Sequence, residues 1–411
     1  MKRFLCFPVV LIALLVTPSA RSDEFDALAI SETIVARHMP YGTILDPIFA
    51  PGEAGPDGEI VGYSRCGDSP IWTGHYLAAE SFRYAVTRSP ESLAAVRDAL
   101  RGVRSLVDVT GTDLLARCLF PTDSPFAAGM LSEESPHGSY TSTLEGKPYF
   151  WVGNTSRDQY SGVFFGLAVA YDFVGETGVQ DSVREIVTRL LNFLLRNNWF
   201  VVMPDGWVST VFWGRPDQQL SLLGVGRQVN PERFESFYKA YRFSFAGSVA
   251  APISWEVLDP HNSYYKFNLD TINLYNLIRL EGSSYYRWWY WKAYDILRRT
   301  TDDHGNAHFN VIDRALRGEP NADRDTETRL MLEAWLQRPR RDEWLDWRGT
   351  YTSCVQEDRA CEPIPIEQRI RTDFLWQRSP FLLYGGGSGV IESAGIDYIL
   401  PYWMGRFYGV L

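Results

Sequence analysis

Two aspartates, Asp68 and Asp158, stand at the same point of two similar segments of the sequence. The first is followed by Trp-Thr-Gly at residues 72–74 and the second by Tyr-Ser-Gly at residues 160–162. Two carboxyl groups across one cleft are what glycoside hydrolysis requires, one as acid and the other as base or nucleophile. Because Asp is also common at helix starts, where it favours the positive end of the helix dipole, helix capping is the alternative role for both.

Side chains next to these aspartates are further candidates for contact with a sugar. Trp72 and Tyr160 offer a flat apolar face with a polar group at the edge, which suits the C–H face of a sugar ring. Arg157 directly precedes Asp158, and His75 lies within the helix that Trp72 begins. We predict a substrate-binding role for these four residues. The alternative for His75 and the aromatic rings is packing inside the protein.

A polar segment at residues 259–266 concentrates hydrogen-bond donors and aromatic rings before a predicted helix. It contains His261, Asn262 and Tyr264, which could hold the hydroxyl groups of a sugar. The same residues, with Tyr265, could instead neutralise a uronate carboxylate and abstract a proton, as a polysaccharide lyase or epimerase requires. A simple turn before a helix would need no function from them.

Metal and phosphate sites find little support in the sequence. His304 and His308 have a spacing seen on zinc-binding helices, but the Glu of that motif is absent, and Gly305 and Asn306 favour a turn. The glycine-rich residues 384–389 lack the lysine of a phosphate-binding loop. We predict no metal ligand and no cofactor.

The elements that must position these residues alternate between two kinds of helix. One kind is apolar around most of its circumference and is expected to be buried, and the next along the chain is amphipathic with arginines outside. Such pairs are predicted at residues 70–86 with 93–107, 160–171 with 184–196, and 268–280 with 285–297. Further helices are expected near Thr326 and over residues 398–408. Irregular excursions cover residues 120–154 and a predicted β-hairpin at 199–213 that turns at 204–206.

Buried and amphipathic helices repeated as hairpins describe a double ring, so the predicted fold class is all-α, an (α/α) toroid of helical hairpins with small β-hairpin and loop excursions. An irregular helical bundle without ring closure is the alternative. The layout resembles the six-hairpin (α/α)-toroid glycosidase-like superfamily, in the stretches at residues 68–79, 155–162 and 397–406. That superfamily contains glycoside hydrolases, polysaccharide lyases and sugar epimerases, so the resemblance implies a carbohydrate substrate. The resemblance is architectural and assigns no catalytic residue.

The N-terminal residues have the features of a signal peptide. Lys2 and Arg3 precede an apolar run at residues 4–16, and small residues follow, which predicts a signal peptide over residues 1–22. A retained membrane anchor is the alternative. Residues 23–411 contain no linker or change of composition and are predicted to form a single domain. The prediction is an exported protein, periplasmic or extracellular, with no membrane contact after cleavage.

Charge and cysteine content agree with that location. The net charge of −10 becomes −12 without Lys2 and Arg3, and an acidic surface argues against nucleic acid as a partner. Four cysteines follow the predicted signal peptide, and Cys354 and Cys361 are predicted to form a local disulfide. Cys66 and Cys118 would then pair with each other, and the alternative is that all four remain reduced.

These observations predict an exported carbohydrate-active enzyme that hydrolyses glycosidic bonds with Asp68 and Asp158. A uronate lyase or epimerase that uses residues 261–265 is one alternative. A non-catalytic toroid that binds glycan or scaffolds an assembly is the other.

Overall fold

The structure is a computed structural model, and it describes residues 19–52, 58–259, 261, 264–352, 355–356, 358–371 and 373–411. Helices dominate these residues. They are α1 (Ser19–Thr33), α2 (Ser69–Thr87), α3 (Pro90–Asp108), α4 (Ala127–Glu133), α5 (Arg157–Val174), α6 (Thr177–Arg196), α7 (Pro216–Val229), α8 (Pro231–Phe245), α9 (Ala250–Glu256), α10 (Tyr265–Leu280), α11 (Ser284–Thr301), α12 (Ala307–Arg317), α13 (Ala322–Leu336) and α14 (Ile396–Phe407). The predicted all-α class is confirmed.

Six of the described helices form a closed inner ring. They follow one another in the order α2, α5, α7, α10, α12 and α14, each packed on the next, and α14 packs on α2 to close the circle. A second helix lies outside each inner helix: α3, α6, α8, α11 and α13 pack on their predecessors, and α1 packs on α14. The described residues therefore form the predicted toroid of helical hairpins, and the last hairpin joins helices from opposite ends of the sequence.

The outer helices are amphipathic and the inner ones are buried nearly all round. In α3, for example, Val96, Leu100 and Val103 face the ring and are almost inaccessible to solvent. In α2 and α5, by contrast, polar and apolar residues alike are buried over the first three turns. Burial of both faces explains why apolar residues surround these two helices in the sequence.

Glycines allow α2 and α5 to pack unusually closely. A Cβ atom on Gly74 would overlap the carbonyl oxygen of Gly162, and one on Gly166 would overlap the carbonyl oxygen of Gly74. Only residues without a side chain permit backbones to come this near. The contact brings together the beginnings of the two helices, where Asp68 and Asp158 lie.

Short strands occupy the predicted excursions. The antiparallel pair β1 (Asp46–Phe49) and β2 (Ile60–Ser64) precedes α2, and a three-stranded sheet in the order β3-β5-β4 lies between α3 and α5. Its strands are β3 (Cys118–Pro121), β4 (Ser139–Leu144) and β5 (Lys147–Val152). The predicted hairpin consists of β6 (Phe200–Val202) and β7 (Val208–Val211). Four two-residue strands lie in the long segment 337–395: β8 (Leu345–Asp346), β9 (Val355–Gln356), β10 (Arg359–Ala360) and β11 (Tyr384–Gly385).

One disulfide joins Cys66, just before α2, to Cys118 at the start of β3. This pairing confirms that these cysteines are not free thiols. Cys361 is also disulfide-bonded, while Cys354 lies outside the described residues, so a Cys354–Cys361 pairing stays a prediction.

Both ends of the chain contribute to the described fold. Residues 1–18 lie outside the described residues, and α1 begins at Ser19, within the predicted signal peptide. The signal peptide and its cleavage therefore stay predictions. None of the described helices combines the length and the apolar character that crossing a bilayer demands.

The centre of the ring is filled by aromatic side chains. His75, Phe165, His308 and Trp376 are in mutual ring contact there, with centroids 4.9–6.3 Å apart. Trp376 comes from the segment 337–395, which runs across the ring. None of these four side chains lines the cavity beside Asp158.

Candidate functional site

The beginnings of four inner helices meet at one end of the ring. Gln159, in the first turn of α5, hydrogen-bonds to the residues that precede α2. The beginnings of α5, α7 and α10 together line a cavity of about 160 Å³. The N-terminal end of a helix carries a partial positive charge, so this end of the molecule favours ionised carboxylates.

Asp68 lies directly before α2 but makes no side-chain capping hydrogen bond. The amide nitrogen of Gln159 donates instead to Oδ1 of Asp68 (3.3 Å) and to the carbonyl oxygen of Gly67 (3.2 Å). The guanidinium of Arg117 lies 3.7 Å from the same Oδ1. The side chain is 38% exposed, so it reaches solvent through an opening while protein atoms surround most of it.

The pKa of Asp68 is raised to about 7. Desolvation by the surrounding protein is the largest cause, and the negative charge of Asp158 is the next. The positive charge of Arg117 acts in the opposite direction, and Asp373 and Glu134 add smaller upward contributions. Asp68 therefore keeps its proton to a higher pH than an ordinary aspartate and is about half protonated at pH 7.

Asp158 is the second residue of α5 and is half-buried. Ser156 and Gln159 form a capping box at this helix start, with the backbone N–H of Ser156 donating to Gln159 Oε1 at 2.9 Å. Asp158 is therefore not needed as the cap, and its carboxylate accepts a hydrogen bond from the hydroxyl of Ser156. Its side chain also lines the cavity between α5, α7 and α10.

Arg215, which lines the same cavity, forms ion pairs with three acidic residues. Its guanidinium lies 2.7 Å from carboxylate oxygens of Asp217 and Asp270 and also pairs with Glu256. Desolvation raises the pKa of Asp270 well above its usual range, and nearby Glu256 adds to the rise while Arg215 opposes it. Burial, followed by the charge of Arg215, lowers the pKa of Arg157. The remaining side chains of the cavity are Ser156, Thr210, Gln218, Tyr265, Lys266 and Leu269.

The structure separates the predicted substrate-binding residues into two groups. Arg157 lines the cavity beside Asp158, and one of its N–H groups donates to the carbonyl oxygen of Val211 (2.9 Å). Trp72, Tyr160 and Tyr264 are buried in the core. Trp72 packs against Phe374 and Trp376, and Tyr160 against Phe212. The hydroxyl of Tyr264 lies 3.1 Å from His304 Nδ1.

His75 is fully buried at the ring centre. Its Nδ1 donates to the carbonyl oxygen of Ile71 (2.8 Å), so Nε2 accepts from the amide of Asn268 at 3.0 Å. Desolvation lowers the pKa of His75 to about 4, which keeps the ring neutral. This is the environment of a histidine packed in the core, which was the alternative to a substrate-binding role for His75.

His261 packs against the segment 337–395 and does not line the cavity beside Asp158. Its Nδ1 is 3.1 Å from the hydroxyl of Ser379, and its ring packs edge-on to Phe381. Asn262 lies outside the described residues. Tyr265 and Lys266, at the end of the same predicted segment, do line the cavity beside Asp158, so the structure brings only part of that segment to this cavity.

Sequence reasoning missed four residues of the cavity wall, namely Arg215, Gln218, Glu256 and Asp270, whereas Lys266 belongs to the polar segment 259–266 that the sequence singled out. Of the four, only Asp270 had a signal in the sequence, because it is an acidic residue inside a predicted buried helix. Among the residues that the structure describes, no three His, Cys, Asp or Glu side chains are grouped so that they could hold a metal ion.

Comparison with known proteins gives little independent information. No protein-family model matches this chain, and no curated protein matches it. Among solved structures, the chain is similar to the cellobiose 2-epimerase of Spirochaeta thermophila DSM 6192, with 10% sequence identity over 96% of this chain and 99% of that one, at a TM-score of 0.44. A likeness at this level supports no conclusion about activity.

Proposed function

We propose that this protein hydrolyses glycosidic bonds, with Asp68 as the general acid and Asp158 as the base or nucleophile. The observation that carries the proposal is the raised pKa of Asp68, which lies with Asp158 at the adjoining beginnings of α2 and α5. Burial and the charge of Asp158 raise the pKa of Asp68 to about 7, and α5 is capped without help from Asp158.

Glycoside hydrolysis needs one carboxyl group that is protonated and one that is ionised. Asp68 would give its proton to the oxygen of the leaving sugar as the glycosidic bond breaks. Asp158 would take a proton from the water that attacks the sugar carbon, or would itself attack that carbon before water releases the product. The net reaction adds one water across one glycosidic bond.

The test measures the release of reducing ends from a panel of neutral glycans. The wild-type protein is compared with two variants. Asp68→Asn and Asp158→Asn should each lower the rate about 10²- to 10⁴-fold, the range for loss of an acid–base group. Asp323→Asn is the matched control, because Asp323 is an exposed acid in the first turn of the outer helix α13. Thermal unfolding of each variant checks that the fold is intact. Full activity in Asp68→Asn would overturn the proposal.

A second candidate, a non-catalytic glycan-binding toroid, is favoured by the filled ring centre. His75, Phe165, His308 and Trp376 leave no central channel among the described residues. Under this candidate the protein would bind a glycan that it never cleaves. A uronate polymer, tested separately from the neutral panel and monitored by ultraviolet absorbance for an unsaturated product, would reveal lyase chemistry instead.

A further inference from the structure

We propose that the cavity beside Asp158 is a binding subsite for one neutral sugar ring, which it holds through adjacent hydroxyl groups. This inference deepens the proposed function and rests on it for the class of ligand. The residues that would contact the sugar are Arg157, Gln218, Glu256, Lys266 and Asp270, all of which line the cavity.

Gln218 Oε1 is a buried acceptor in this cavity that has no hydrogen-bond partner among the described residues. Gln218 is 2% exposed. A buried polar atom left unpaired costs about 1–3 kcal/mol, so native proteins rarely keep one without a ligand or water that pairs with it.

Glu256 and Asp270 hydrogen-bond to each other, and Arg215 pairs with both carboxyl groups. The remaining carboxyl lone pairs can accept from sugar hydroxyls. Gln218 Oε1, in contrast, has no donor among the described residues.

Two cationic side chains, Arg157 and Lys266, also line the cavity. Arg157 and Lys266 form no salt bridge with any residue that the structure describes, whereas Arg215 is held by Asp217, Glu256 and Asp270. Arg157 and Lys266 therefore retain N–H groups for a ligand.

The mixture of groups favours a ligand that both donates and accepts. An anionic ligand would face the carboxylates of Asp158 and the Glu256–Asp270 pair, and a cationic ligand would face Arg157 and Lys266. A sugar hydroxyl can accept from an N–H group and donate to a carboxylate at once. The volume of about 160 Å³ is well below the roughly 300–1,000 Å³ of sites for drug-sized ligands, so the cavity suits one ring.

The experiment measures binding, not turnover. Methyl glucoside, methyl galactoside and methyl mannoside are titrated into the full-length protein by ligand-observed NMR, with methyl glucuronide and glycine as charged comparisons. At least one neutral glycoside should bind, and Gln218→Leu and Lys266→Met should each weaken that binding tenfold or more. Lys239→Met, at an exposed site on the outer helix α8, should leave the affinity unchanged.

Asp68→Asn separates this inference from the proposed function, because Asp68 does not line the cavity. Sugar binding that persists in Asp68→Asn and is lost in Lys266→Met supports the subsite whether or not the wild type cleaves any glycan. The subsite is wrong if none of the neutral glycosides binds, if glucuronide or glycine binds more tightly, or if neither cavity variant weakens binding.

Discussion

The raised pKa of Asp68 comes from the residues around its carboxyl group and not from its position before a helix. Its side chain does not cap α2, and Gln159 and Arg117 stand against its Oδ1 at 3.3 and 3.7 Å. Burial and the charge of Asp158 raise its pKa to about 7, more strongly than Arg117 lowers it.

The influence of Asp158 on Asp68 can be measured directly. Asp158→Asn removes the negative charge that raises the pKa of Asp68, so that pKa should fall below about 7. Carboxyl ¹³C NMR titration of wild type and variant gives the two values. Asp323→Asn, which changes a distant acid, should leave the pKa of Asp68 where it is, and an unchanged value in Asp158→Asn would show that the two groups do not interact.

The raised pKa of Asp68 also predicts how the activity depends on pH above neutrality. A general acid must hold its proton, and Asp68 loses that proton as the pH rises through about 7. Activity on a glycan substrate should therefore fall tenfold per pH unit well above pH 7. An activity that stays constant from pH 7 to pH 9 would exclude Asp68 as the acid.

The two aspartates could be paired from the sequence because each begins a buried helix with a similar aromatic-hydroxyl-glycine pattern. The residues of the cavity wall could not be predicted from the sequence. Arg215, Glu256 and Asp270 come from three separate elements, and only the closed ring brings them together. Burial of Trp72 was only the alternative to a substrate-binding role, because an aromatic ring at a helix start has the same sequence signature whether it faces a ligand or the core.

At the scale of the helices, the apolar pattern predicted the pairs α2/α3, α5/α6 and α10/α11. It did not predict the pair α7 and α8. The first residues of α7 are polar although they are buried, among them Asp217, Gln218 and Gln219, so the start of this inner helix has no apolar signal. Gln218 also lines the cavity.

The contact between α2 and α5 gives a prediction for stability. Gly74→Ala places a methyl group against the carbonyl oxygen of Gly162, so the free energy of unfolding should fall by about 1–3 kcal/mol or more. Gly129→Ala in α4 is the matched control, because its Cβ meets nothing within 4 Å and Ala is the better helix former by up to about 1 kcal/mol. Urea unfolding compares them, and equal effects would contradict the close packing.

At the scale of the whole molecule, the ring is closed around a centre of buried aromatic side chains. Trp376, Phe165, His75 and His308 fill that centre, and desolvation lowers the pKa of both histidines. The sequence predicted the double ring from its repeating hairpins, but it gave no sign that the segment 337–395 would send Trp376 into the middle.

Trp376→Ala should open the centre of the ring. Removal of this buried side chain should lower the free energy of unfolding by about 3–5 kcal/mol. Water that enters would reduce the desolvation of His75, so the pKa of His75 should rise from about 4 toward 6.5. Histidine NMR titration measures that shift, with Trp288→Ala on the outer surface as the control. A pKa that stays near 4 would mean that the neighbouring side chains close over the gap.

The packing of α1 on α14 has a consequence for how the chain folds. Arg406 in α14 donates to Glu24 in α1 at 3.0 Å, across 382 positions of sequence. Five hairpins of the ring use neighbouring helices and can form as the polypeptide lengthens, but the sixth needs α14 to reach α1. The circle therefore stays open during most of synthesis, and contacts this distant in sequence slow the final step of folding. Until that step the apolar edges of α2 and α12 are exposed, so the unfinished ring is the form of this protein most prone to aggregate.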